Sequence, residues 1–402
     1  MKKICLLLLA LMLAVSGLSV AAAEEEGITL RLGLWANAGE LEGWNKSIQG
    51  IADAVPGVKD IEIVHYPSTG DFWASIPSQM AAGTAPDLVI VTNENAYQYI
   101  ADNMFYSFDP ATLDLSEVAD DAVRVWTIDG KLYGIPLSMQ PTALVVNMDM
   151  WNAAGLTEDD YPTTWQKVEA AAEKLSVNGV YGLCVNLTNT FHFTQVAQGF
   201  GGGWGYGETI DSEANIKALD WLIDMFNKGW CISPDQLGDD WDGPSFAQGK
   251  VAMTTGGPWY DGYMADFDIN WKAFPIPYDE GNEANRSLSL HSSAVTVLSS
   301  CKNPELAAKA AIYLARPESL EIYSHSAGLI PANTKLAANY YTEHPNYANL
   351  EGAEAYSKAF EYPAETEQFQ TTLNLKMQSV IYDSGNDMRA ADIYKEVMEE
   401  YK

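Results

Sequence analysis

Between Ile28 and Leu34 apolar residues alternate with others at period two, which reads as a strand that ends in the loop Trp35-Ala36-Asn37-Ala38-Gly39. Trp44, Ile48, Ile51 and Val55 then recur at helical spacing until Pro56-Gly57, and Ile61-Glu62-Ile63-Val64 resumes as a strand. The same alternation follows: a helix over Ser75–Ala82, the turn Gly83-Thr84-Ala85-Pro86, and an apolar strand from Asp87 to Val91. Such β-α-β units are parallel and right-handed, and they predict an α/β fold with ligands at the carboxyl ends of the strands.

Later stretches repeat the grammar. Trp165, Val168, Ala172 and Leu175 share one face of a helix over 163–175, with Thr163 and Gln166 spaced as a capping box. Leu219, Leu222, Ile223 and Phe226 mark a helix over 216–228, and Val251–Thr255 a short buried strand. Ala294–Leu298 is another strand, followed by a helix with Asn303 as cap, Pro304 in its first turn and Pro317 as its stop. The tail to Lys402 is expected to be helical and to pack on a second lobe.

Three stretches break this rhythm. Asp129–Trp151 carries Pro136 and Pro141 five residues apart, then runs apolar through Leu144-Val145-Val146. Proline fixes φ and biases the residue before it toward extended backbone, so this stretch is a semi-rigid strap between lobes. Ala273–Tyr278 and Gly328–Ala332 look like further crossings. They divide the chain discontinuously: 24–137 with 280–332 in one lobe, 142–275 with 336–402 in the other, and straps near 136–141, 275–282 and 330–336.

The strand-end rule places Trp35, Asn37, Asn93 and Glu94 at the cleft, with helix capping as the competing role for Asn93. Gln140 sits within the strap, where it reaches either lobe, and His291 precedes a strand, where it caps or contacts. Gly199–Gly207 holds six glycines around Trp204 and Tyr206; either the backbone there approaches a ligand closely and the rings cap it, or the segment is a plain loop. Trp259 and Tyr260 stand in the loop after the strand at Val251.

The strap motif Gly130-Lys131-Leu132-Tyr133-Gly134-Ile135-Pro136 with Leu144–Trp151 resembles the crossover of extracellular solute-binding proteins that deliver sugars to ABC importers, the maltose-binding-protein group. Four further matches keep the same order: Ala81–Val89, Pro162–Trp165, Phe246–Met253 with Gly257-Pro258-Trp259, and Gly328–Ala332. The resemblance implies a two-lobe periplasmic-binding-protein-like fold of type II, a carbohydrate, expected to be an oligosaccharide, held between the lobes, and a membrane permease as partner. It also implies that Trp259 stacks on the sugar; packing into its own lobe is the alternative.

Composition narrows the partners. The net charge of −31 repels nucleic acid and anionic membranes. Lys2-Lys3, an apolar run and Ala21-Ala22-Ala23 read as a signal peptide over 1–23, so the protein is expected to be exported. Cys5 is the one cysteine near that site and lies inside the apolar run, which argues against a lipid anchor. Cys184, Cys231 and Cys301 have no metal-ligand spacing and form at most one disulfide. No nucleophile elbow, zinc motif, calcium loop or phosphate loop is present, so no cofactor and no catalysis is expected, and a single chain suffices. A glycoside-active enzyme with an unmarked carboxylate pair, and a receptor for a non-sugar solute, remain the competing functions.

Overall fold

The computed structural model describes residues 27–383 and 385–401; the signal-peptide reading of residues 1–23, with Lys2, Lys3 and Cys5, lies outside them. Strands β1 (Ile28–Trp35), β2 (Val58–Tyr66) and β3 (Leu88–Thr92) run parallel, and β14 (Ser293–Val297) returns antiparallel between β3 and β6 (Ile135–Pro136), giving the order β2-β1-β3-β14-β6. Register pairs Leu32 with Leu88 and Val295 with Ile90. Between β3 and β6 lies the small antiparallel hairpin of β4 (Thr127–Ile128) and β5 (Lys131–Leu132).

A second sheet has the order β10-β9-β11-β8-β12, built from β8 (Ala143–Asn147), β9 (Leu183–Cys184), β10 (Cys231–Ile232), β11 (Met253–Gly256) and β12 (Trp271–Pro275). Strand β8 is buried on both faces: Leu144 and Val146 enter one apolar cluster, Ala143 and Val145 the other. That explains its unbroken apolar run, since alternate side chains leave opposite faces. The first sheet has its own core, from Leu30 to Ala327. The fold is therefore two α/β lobes. A third sheet joins them, in which β13 (Leu288–His291) pairs with β7 (Gln140–Pro141) and β15 (Ser357–Lys358).

Helices flank these sheets: α1 (Ala38–Ser47), α2 (Thr69–Ala82), α3 (Asn93–Ala101), α4 (Trp165–Leu175), α5 (Thr190–Gly199), α6 (Glu213–Asn227), α7 (Trp259–Met264), α8 (Pro304–Leu314), α9 (Pro317–Ala327), α10 (Thr366–Ile381) and α11 (Ala390–Tyr401). The last two contribute Phe369, Leu373, Ile393 and Tyr394 to the apolar cluster that also holds Leu144 and Val146 of β8.

Several local readings shift. The helix expected through Val55 breaks at Gly50, whose φ of 82° interrupts the ladder. Thr164, not Thr163, caps α4, and Gln166 bonds the Asp279 carboxylate instead of closing a capping box. Asn303 makes no side-chain cap bond. Pro317 begins α9, because a proline tolerated at the first helical turn stops one helix and starts the next equally well. Cys184, Cys231 and Cys301 are free thiols.

Candidate functional site

A cavity of 190 Å³ lies between the two lobes, against the carboxyl ends of β1 and β3. The first lobe supplies Trp35 at the last position of β1, Trp44 from α1, Thr92 from the end of β3, and Tyr323 from α9. The second lobe supplies Trp259, the first residue of α7, placed there by the turn at Gly257-Pro258 after β11. Ser138 comes from the first crossing, His291 from the end of β13 and Ser293 from the start of β14. Three indoles thus meet one cavity from opposite sides. The Trp35 ring is held edge-on by Phe72 at 5.0 Å, Trp44 and Tyr323 lie 4.8 Å apart, and Trp259 stands 5.5 Å from His291 and 5.7 Å from Phe191.

The polar groups among those rings are carboxylates, an imidazole and hydroxyls. Nε2 of His291 is 2.9 Å from the Glu94 carboxylate. Burial pushes the Glu94 carboxyl up, but the imidazole's charge and hydrogen bond outweigh it, and the net shift is downward. Glu40 lines the cavity, and burial raises its pKa although the Asn37 backbone amide donates to it at 2.8 Å. Ser138 and Ser293 share a hydroxyl hydrogen bond of 2.6 Å. Among the described residues no Lys or Arg lines this cavity.

A buried polar knot supports the second-lobe wall. Asp242, 2 % exposed, accepts hydrogen bonds from Thr254 Oγ1 at 2.8 Å and from the Tyr260 hydroxyl, and Nε2 of His192 lies 3.5 Å away. Burial raises the Tyr260 phenol far above its ordinary value and lowers the His192 imidazole. Tyr260 thereby pins the first turn of α7 and with it Trp259.

Of the nine residues read from the sequence, Trp35, Trp259 and His291 line the cavity together, and Glu94 reaches it through His291. Asn37 caps α1 in a reciprocal capping box with Glu40. Asn93 takes a structural role: its amide donates to Leu290 O and accepts from Ser292 N, both at 2.8 Å, locking α3 to the crossing. Three others are fully buried in this structure. Gln140 is fully buried, and its amide exchanges bonds of 3.3 Å with the Ile330 backbone, so it ties two crossings together. Tyr260 is 0 % exposed for the reason just given. Trp204 is 0 % exposed, with its indole N–H donating to Thr194 Oγ1 at 2.9 Å and Phe369 against its face. Positive φ at Gly201, Gly203, Gly205 and Gly207 turns that ring inward and leaves Tyr206 outside, 4.7 Å from Tyr97 of the other lobe.

Glu40, Trp44, Tyr323, Ser138 and Ser293 were not anticipated. Trp44 carried a signal, but helical spacing assigned it to a core face. Among the described residues no group of three or more His, Cys, Asp or Glu side chains is arranged to hold a metal.

A family profile described as "Bacterial extracellular solute-binding protein" matches residues 48–353. The galactooligosaccharide-binding protein of Bacillus subtilis is 23% identical over 270 residues, covering 64% of this chain and 62% of the relative. The maltodextrin-binding protein MdxE of the same organism is 25% identical over 273 residues, covering 65% and 64%. The chain thus matches under two thirds of the length of these curated relatives. Among solved structures, an ABC substrate-binding protein of Listeria monocytogenes in complex with cycloalternan superposes with a TM-score of 0.79 at 21% identity, covering 93% of this chain and 97% of that one. Thermus thermophilus maltotriose binding protein bound with maltotriose gives 0.74 at 19%, covering 92% and 98%. These likenesses establish the two-lobe fold.

Proposed function

The chain belongs to the bacterial extracellular solute-binding protein family, and from that premise we propose that it captures a carbohydrate between its lobes and delivers it to the permease of an ABC importer. The observation that carries the reading is the pairing of Trp35 and Trp259 across one cavity that also holds Glu40, His291 and hydroxyls but, among the described residues, no Lys or Arg. Indole faces cover the apolar C–H faces of a pyranose, carboxylate and imidazole bond its hydroxyls, and a closing cleft excludes water. With no Lys or Arg among the described lining residues, and with Glu94 beside His291, uronates and phosphorylated sugars are disfavoured.

At 190 Å³ the cavity falls below the roughly 300–1,000 Å³ of ordinary ligand pockets, so an oligosaccharide enters only with the lobes apart. The rotation is assigned to the crossings at 136–141, 275–282 and 330–336, between residues 24–137 with 280–332 and 142–275 with 336–402. Binding shifts the open–closed equilibrium, and the closed form is what the permease meets. The protein acts without catalysis, exported and unanchored, as a single chain. Names of the relatives above support an oligosaccharide over a single sugar.

Intrinsic fluorescence and thermal shift, run against linear gluco- and galacto-oligosaccharides, amino acids and polyamines, test this. A saturable response to one sugar that is recovered unchanged supports the reading. Response to a charged solute alone, or consumption of the sugar, replaces it with one of the competing functions.

A further inference from the structure

A second cavity, of 220 Å³, opens at the opposite end of β13 from the cleft. Leu288 lines this one and His291 the other, three residues apart on a strand and so separated by about 10 Å. Its floor is apolar: Phe274, Ile276 and Leu288 are each at most 4 % exposed and belong to the second lobe's core. Its walls are the crossing strap at Pro275–Tyr278 and the segment 349–356.

Two features give this cavity a chemical preference. Ser287, 3 % exposed, is among its lining residues, and its hydroxyl has no hydrogen-bond partner. A buried hydroxyl left unpaired is costly, and a ligand acceptor removes that cost. Arg286 stands at the mouth, its guanidinium carbon 5.2 Å from the Tyr278 ring and 5.7 Å from the Tyr356 ring. In a chain with 54 acidic and 23 basic residues, this guanidinium forms no salt bridge among the described residues. Glu351 shares the rim without coming within ion-pair distance of it. Tyr356 and Tyr278 also hydrogen-bond this guanidinium, and of its five N–H groups those they do not use are the donors a carboxylate would meet.

The geometry points to a second ligand site, at the hinge, for a small molecule with one flat apolar body and one carboxylate. The body rests on Phe274, Ile276 and Leu288, the carboxylate meets Arg286, and the Ser287 hydroxyl donates to the same head group. A sugar suits this cavity poorly, because its hydroxyls would lie unpaired on an apolar floor. The assignment stands without the carbohydrate reading of the other cleft. Because the occupant touches both the strap and β13, its binding also biases the rotation between lobes.

Calorimetric titration of the whole protein with 3-phenylpropionate, and with its neutral amide, tests the site. The acid is expected to bind saturably at one site and the amide about tenfold more weakly, since the charge-assisted bond is lost. Arg286→Gln should remove about tenfold of the acid's affinity without moving the melting temperature, and Arg286→Lys should restore part of it. Equal binding of acid and amide, unaltered affinity in Arg286→Gln, or no saturation by the acid up to its solubility would overturn the assignment. The comparison of acid and amide on the unmodified protein decides even where a variant folds poorly.

Discussion

Replacing Trp259 with alanine removes the indole that the second lobe contributes to the cleft, and its cost can be worked from the structure. The ring is half-buried, with Phe191 at 5.7 Å and His291 at 5.5 Å beside it. A pyranose laid on its free face covers roughly 60–80 Å² of indole, worth ~2 kcal/mol at about 25 cal/mol per Å², and the ring interaction adds ~0.5–1 kcal/mol. The sum, ~2–3 kcal/mol, corresponds to about 30- to 150-fold in Kd. Calorimetric titration with the cognate sugar reads that change directly, and a melting scan of the free protein should show a loss of only a few degrees. Trp204→Phe is the matched control. It deletes an indole N–H bond of 2.9 Å deep in the core, so it should cost about 1–3 kcal/mol of stability and leave Kd within about twofold. If Trp204→Phe weakens binding as much as Trp259→Ala, or if Trp259→Ala leaves Kd unchanged, the stacking argument is wrong.

Glu40→Gln should stabilise the free protein at neutral pH and weaken sugar binding. The folded carboxyl is raised by burial, so the ionised form penalises the native state above that pKa, and the gain should vanish once pH falls below the unfolded value near 4.5. Glu94 titrates with the opposite sign: its lowered folded pKa contributes stability above about 4.5 that is lost in acid, so Glu94→Gln should flatten the melting temperature below that pH. Tyr206→Ala removes the contact with Tyr97 across the lip and should raise the radius of gyration of the free protein in X-ray scattering, with a sugar affinity two- to tenfold weaker for ~0.5–1.5 kcal/mol of lost ring contact. Reducing agent should leave the melting temperature unchanged, since Cys184, Cys231 and Cys301 are free, and Cys184 and Cys231 are buried with pKa values raised by that burial.

The sequence carried the lobes more clearly than the cleft. Strands β1, β3, β8 and β14 announce themselves because burial on both faces, or on one, leaves an apolar run or a period of two. The cleft is assembled from distant pieces, and its register in space is not periodic. Tyr323 and Trp44 come to 4.8 Å of one another through packing of α9 on α1, across more than half the chain. Trp204 looked like Trp259, an aromatic in a glycine-rich loop after a strand or helix. What separates them is backbone direction: four left-handed glycines fold one ring into the core, whereas the Gly257-Pro258 turn, anchored by Tyr260 on Asp242, leaves the other at the cavity. Gln140 misleads for a related reason, since a polar side chain in a buried strap must satisfy its own amide, and it does so on Ile330. Gly328 shows a constraint that only three dimensions reveal: with φ of 68°, a Cβ there would stand 3.1 Å from the Gly262 amide nitrogen, where α9 meets α7 of the other lobe.

Diffraction from crystals grown with the sugar that saturates the fluorescence response tests the central claim most directly. The account predicts a pyranose ring lying against the Trp259 indole, with Trp35 on the facing side and hydroxyls bonded to Glu40 and His291. Density for the sugar at any other surface, or in the cleft but contacting neither indole, would contradict it.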